Sequence, residues 1–66
     1  MKITLNGKQV TIPDAISISD LLKKYGLEPE TIVTEINRSI IPKAKYSTMV
    51  LNNEDRVEIV HIVGGG

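Results

Sequence analysis

Two alternating runs, Met1 to Leu5 and Lys8 to Ile12, are joined by the dipeptide Asn6-Gly7. Nothing else in the chain restricts its fold so strongly. Successive side chains of a strand point to opposite faces, so Met1, Ile3 and Leu5 share one face, and Val10 and Ile12 share the matching one. Asn-Gly is the strongest short hairpin signal, because both residues accept a positive φ. Pro13-Asp14 ends the second run. The chain therefore opens as a β-hairpin with one apolar face, and that face needs a cover.

The cover is "SISDLLKKYG", Ser17 to Gly26. Ile18, Leu21, Leu22 and Tyr25 fall at i, i+3, i+4 and i+7, a single apolar stripe on a helix of about residues 18–25. Ser17 is placed to cap its free amides, with Asp20 in the first turn. Gly26 suits the left-handed residue just past a helix end.

Beyond the turn at Glu28-Pro29-Glu30, Ile32 to Ile36 reads as a strand and Asn37-Arg38 as a turn. Ser39 to Ile41 forms a short strand before Pro42, Lys43 to Ser47 is irregular, and Thr48 to Leu51 is expected to be another short strand. Asn52 to Asp55 is a turn, and Arg56 to Ile62 is the last and most apolar strand. The order ββα followed by strands predicts an α+β domain of two layers, a mixed sheet with one main helix across one face. A last strand lying beside the first would give a parallel central pair. The expected core includes Ile3, Leu21, Leu22 and Ile59.

At 66 residues there is room for one domain. Ten Ile, six Val and five Leu, without Phe or Trp, make its core aliphatic. The absence of cysteine excludes disulfides, zinc thiolates and a thiol nucleophile of the chain's own. Eight basic and eight acidic residues cancel, and Tyr25 and Tyr46 are the only aromatic residues. Phosphate binding wants a basic excess and base stacking wants aromatic platforms, so nucleic acid is not an expected partner. Neither a membrane-spanning run nor a signal-peptide pattern is seen, and the expected location is the cytoplasm. His61, the single histidine, has no carboxylate at a metal-ligand spacing, so no metal site is expected. No nucleophile, base and orienting group occur as a set, and no enzyme activity is expected.

Function is sought instead at the end of the last strand. With Val57 and Ile59 facing the helix, Val60 and Ile62 reach the uncovered face of the sheet; the alternative is that loops cover them or a bulge flips the register. Contiguous exposed apolar surface marks partner sites, so Val60, Ile62 and Val63 are the expected partner-binding residues. Gly64, Gly65 and Gly66 follow directly. The expected division is a domain over residues 1–63 and a flexible glycine tail over 64–66. Four extended residues from Val63 reach roughly 13 Å, enough to carry a carboxylate into another protein's active site. Glycine, lacking Cβ, fits a narrow channel. A carboxylate is a poor electrophile, so chemistry at Gly66 requires activation by a partner, most simply as an acyl adenylate. An inert end is the alternative.

Several stretches together resemble the sulfur carrier proteins of thiamine biosynthesis (ThiS-like): "LNG" at Leu5 to Gly7, "DLL" at Asp20 to Leu22, "EIN" to "IIP" over Glu35 to Pro42, and above all "DRVEIVHIVGGG" from Asp55 to Gly66. The resemblance implies a ubiquitin-like β-grasp fold. It also implies that a ThiF-like adenylating enzyme, using ATP and Mg, activates the Gly66 carboxylate, while the carrier itself binds no cofactor. Sulfur arriving through a cysteine desulfurase or sulfur-transfer protein then gives a thiocarboxylate, which a ThiG-like thiazole synthase consumes. Gly64 and Gly65 are the flexible arm. A molybdopterin-type carrier, a ubiquitin-style conjugator and a plain sheet-face interaction module are the competing readings. One departure stands out: Glu54 precedes Asp55 where the family often has glycine, and Asn52 or Asn53 is expected to take the left-handed conformation instead.

Overall fold

The computed structural model describes residues 1–62. Strand β1 (Lys2–Leu5) and strand β2 (Lys8–Thr11) form the expected antiparallel hairpin, with Ile3 opposite Val10. Asn6 at φ 48° and Gly7 at φ 83° make the turn, which needs a positive φ at both positions to follow the strand twist.

Helix α1 (Ile18–Lys24) begins where Ser17 Oγ accepts the Asp20 N–H at 3.1 Å. Its end is closed by two reversed bonds, Leu27 N–H to Leu22 O at 2.9 Å and Gly26 N–H to Lys23 O at 3.1 Å. That pattern requires a left-handed residue between them, and Gly26 supplies it at φ 67°. Tyr25 departs from the expected apolar stripe. It is the C-cap rather than a helical residue, and it stays exposed.

Strand β3 (Ile32–Ile36) and the two-residue strand β4 (Ser39–Ile40) turn at Asn37-Arg38, and strand β5 (Arg56–His61) completes a five-stranded sheet in the order β2-β1-β5-β3-β4. The central strands β1 and β5 are parallel, as the expected return of the last strand to the first requires; the other pairings are antiparallel. Ile18, Leu21 and Leu22 of the helix join Ile3, Ile32, Ile36, Val57 and Ile59 of the sheet in one core. All four core residues expected from the sequence are buried.

The connection from β4 to β5 departs from expectation in two places. Thr48 to Leu51 is not a strand: Val50 forms a single bridge to Ser17. The backbone of Met49, together with that of Tyr46, serves the start of the helix instead, where the Ile18 and Ser19 amides donate to Met49 O and Tyr46 O at 3.1 and 2.8 Å. These are amides that a helix cannot satisfy internally. The segment read as irregular holds a short 3₁₀ turn, Lys43–Lys45, and then buries Tyr46. The Tyr46 hydroxyl accepts the Thr34 N–H at 3.2 Å, closing the sheet edge where β4 has run out.

Candidate functional site

The two faces of β5 differ as sharply as its sequence alternates. Val57 and Ile59 are buried against the helix layer, whereas Val60 is 55% and Ile62 50% exposed on the open face. Val60 lies directly opposite Val33 of β3, so the two form an apolar cross-strand pair on that face. One step away, Glu35 lies opposite Glu58, and beyond Glu35 stands Ile40 of β4, 68% exposed. The half of the open face formed by β1 and β2 is polar, with Lys2, Thr4, Gln9 and Thr11. An apolar patch thus occupies the β5 side of the sheet, at the end where β5 leaves the body.

The partner-binding residues expected from the sequence are brought together only in part. Val60 and Ile62 share this patch; Val63, Gly64, Gly65 and Gly66 lie outside the described residues. His61 alternates away from the open face, opposite Ile32, and remains exposed at the strand end.

Two features of β5 escaped the sequence reading. Asn6, read there as a turn residue, also reaches β5: the Ile59 N–H donates to its Oδ1 at 2.8 Å, and its Nδ2 donates to Ile59 O at 3.3 Å. Nothing in an Asn-Gly turn advertises that second role. At the other end of β5, the left-handed residue of the Asn52–Asp55 turn is Glu54 itself, at φ 71°, rather than Asn52 or Asn53. Asp55 fixes the outcome, its carboxylate accepting the Asn52 N–H at 2.8 Å and the Asn37 side-chain amide at 3.1 Å. Asn53 Oδ1 is taken by the Lys2 N–H at 2.8 Å. Both asparagines are held by these bonds, and the reversal falls on the next residue. A glycine at this position would take the reversal without the strain of a Cβ.

Concave surface is modest. A cleft of about 360 Å³ at the start of β5 is lined by Asn37, Arg38, Glu54 and Arg56. It contains no nucleophile paired with a base. Among the described residues, no three His, Cys, Asp or Glu side chains gather to hold a metal ion. Among the described residues no helix is long and apolar enough to cross a membrane. The open face offers the exposed apolar side chains of Val60 and Ile62.

Comparison with known proteins agrees with that arrangement. The model of the ThiS family matches residues 3–66. The sulfur carrier protein ThiS of Bacillus subtilis (strain 168) is 45% identical over 65 residues, covering 97% of this chain and 98% of that protein. A thiazole synthase of Magnetococcus marinus is 35% identical over 66 residues; this chain is wholly covered but spans only 20% of that protein's length. The crystal structure of the thiamine biosynthesis protein ThiS from Geobacter metallireducens superposes with a TM-score of 0.87, at 25% identity and with both chains fully covered.

Proposed function

Because this chain belongs to the ThiS family, whose β-grasp fold it shares, we propose that it carries sulfur as a thiocarboxylate on Gly66. At the family level it is a sulfur carrier of thiamine biosynthesis and not itself a catalyst. The finer chemistry is our reading. A ThiF-like adenylating enzyme, using MgATP, joins AMP to the Gly66 carboxylate and releases pyrophosphate. A persulfide, supplied through a cysteine desulfurase or sulfur-transfer protein, displaces AMP to give an acyl disulfide; a second thiol then attacks its donor-side sulfur, which releases the thiocarboxylate and leaves the two thiols joined as a disulfide. A ThiG-like thiazole synthase then takes the sulfur. Thiazole synthases that contain a stretch similar to this chain support that last partner.

The observation that carries the proposal is the exposed apolar patch of Val60 and Ile62, immediately ahead of the glycines. Ordering three glycines costs about 3–6 kcal/mol. Val60 and Ile62 are already half covered. Completing their burial therefore returns about half of the usual 1.5–3 kcal/mol each. The pair alone falls short, and Ile40 on the same face adds about 1–2 kcal/mol. All three together return about 2.5–5 kcal/mol, which covers most of that cost and leaves the rest to other contacts with the partner.

The test is intact-mass spectrometry after incubation with the cognate adenylating enzyme, MgATP and a sulfur source. Wild-type protein should gain the mass of one oxygen-to-sulfur exchange. Deletion of Gly66 should abolish the gain, and Val60→Asp should weaken binding to the enzyme while leaving the circular dichroism spectrum unchanged. An unchanged wild-type mass with a demonstrably active partner set would refute the carrier chemistry. Normal thiocarboxylate formation in the truncated chain would refute its assignment to Gly66.

A further inference from the structure

We propose that Asn6 is a positioning residue for the docking end of β5, its side-chain amide standing in for a strand that β1 no longer supplies. The inference rests on the carrier reading above. Backbone pairing between β1 and β5 covers Thr4 with Arg56 and Leu5 with Val57, and the Asn6 N–H donates to Val57 O at 2.9 Å. There β1 turns away into the hairpin. The Asn37 N–H to Arg56 O and Ile62 N–H to Thr31 O bonds mark the even-numbered residues of β5 as those bonded towards β3. In an antiparallel ladder the residues between them point their main-chain groups the other way. Ile59 therefore faces the space beyond the end of β1, and among the described residues Asn6 alone meets both its N–H and its carbonyl.

The turn does not require asparagine for this. Its first position needs a positive φ, which glycine or aspartate also accepts. The clamp does require it: one short side chain must donate and accept at once. Aspartate lacks the N–H, glycine lacks both groups, and glutamine is a methylene too long. The residue type at position 6 thus answers to Ile59 rather than to the hairpin. Val60 follows Ile59 directly, so the clamp fixes the strand from which the docking patch projects. Without it, that edge of β5 would be ordered only on docking, and the ordering cost would appear as lost affinity.

Asn6→Gly is the clean test, since it preserves the turn and deletes both bonds. Asn6→Asp keeps the acceptor for the Ile59 N–H but sets a carboxylate against the Ile59 carbonyl. Ser17→Ala, at the helix cap, is a destabilising control whose lost bond is to Asp20 and not to β5. Two quantities are measured at a temperature where every variant is fully folded. One is the KM and kcat of thiocarboxylate formation with the ThiF-like adenylating enzyme, MgATP and a sulfur source; the other is hydrogen exchange at the Ile59 amide. Asn6→Gly should raise KM for the carrier about tenfold with kcat within about twofold of wild type, the mark of lost preorganisation rather than lost chemistry. Ile59 should exchange faster, Asn6→Asp should lie between, and Ser17→Ala should change neither quantity. A wild-type KM in Asn6→Gly overturns the proposal, as does an equal rise in Ser17→Ala. If wild-type protein forms no thiocarboxylate, the carrier reading fails by itself. The exchange measurement still judges the clamp in that case, because unchanged Ile59 protection in Asn6→Gly overturns it.

Discussion

Replacing Glu54 by glycine should make this protein more stable. Glu54 sits at φ 71°, and the surrounding bonds leave that angle little freedom. Its own N–H donates to Lys2 O at 2.6 Å, Asn53 on one side holds the Lys2 N–H, and Asp55 on the other holds Asn52 and Asn37. A residue with a Cβ in the left-handed region costs about 1–2 kcal/mol. Glycine removes that cost and returns about 0.5–1 kcal/mol of it through the greater freedom of its unfolded chain. The net expectation is a gain of about 0.5–1 kcal/mol. In a domain of this size each kcal/mol moves the midpoint about 4–8 °C, so Tm should rise about 2–8 °C. Urea unfolding followed by circular dichroism gives the free energy directly. Glu54→Ala is the control, because it removes the same exposed carboxylate and keeps the Cβ. If Glu54→Gly is no more stable than Glu54→Ala, the strain argument is wrong and the turn tolerates its left-handed residue at no cost.

Two further substitutions probe the core. Thr34 is fully buried, and its hydroxyl has no hydrogen-bond partner among the described residues. Valine matches its shape without the polar atom, so Thr34→Val should stabilise by about 1 kcal/mol; a lower urea midpoint would mean that the hydroxyl is satisfied. Leu22, only 1% exposed, packs beneath the helix end. Leu22→Ala should cost about 2–5 kcal/mol, comparable with the whole stability of a small domain. Retention of a wild-type melting curve would show that the helix does not seal the core.

What could be read in advance divides along a physical line. The hairpin, the helix with its Ser17 cap and Gly26 stop, and β3 were legible because each is specified by local chemistry: a period, a cap or a turn dipeptide. The exposed pair Val60 and Ile62 was legible too, since alternation along β5 leaves them no other face. Thr48 to Leu51 was not, because a short run of mixed residues has no period of its own, and the need of the helix start for acceptors decided its path. Tyr25 continued the apolar spacing, but the Gly26 reversal stopped the helix before spacing could count. Tyr46 carried no local sign of burial; its partner Thr34 lies 12 residues away. Glu54 took its strained angle through bonds made by its neighbours, and Asn6 found Ile59 across 53 residues. Contacts at that separation exist only once the sheet has formed.

If the proposed carrier chemistry is carried out with the protein gripped by its end, the parallel alignment of β1 and β5 has a mechanical consequence. Tension applied through Ile62 runs along β5, and the bonds joining that strand to β1 and β3 lie across the direction of pull. Parallel neighbours anchored at opposite ends are loaded in shear, so several rungs must yield together rather than one after another as in a zipper. A grip on the segment beyond Ile62 would strain this sheet along its stiffest direction. The body would resist as a single block.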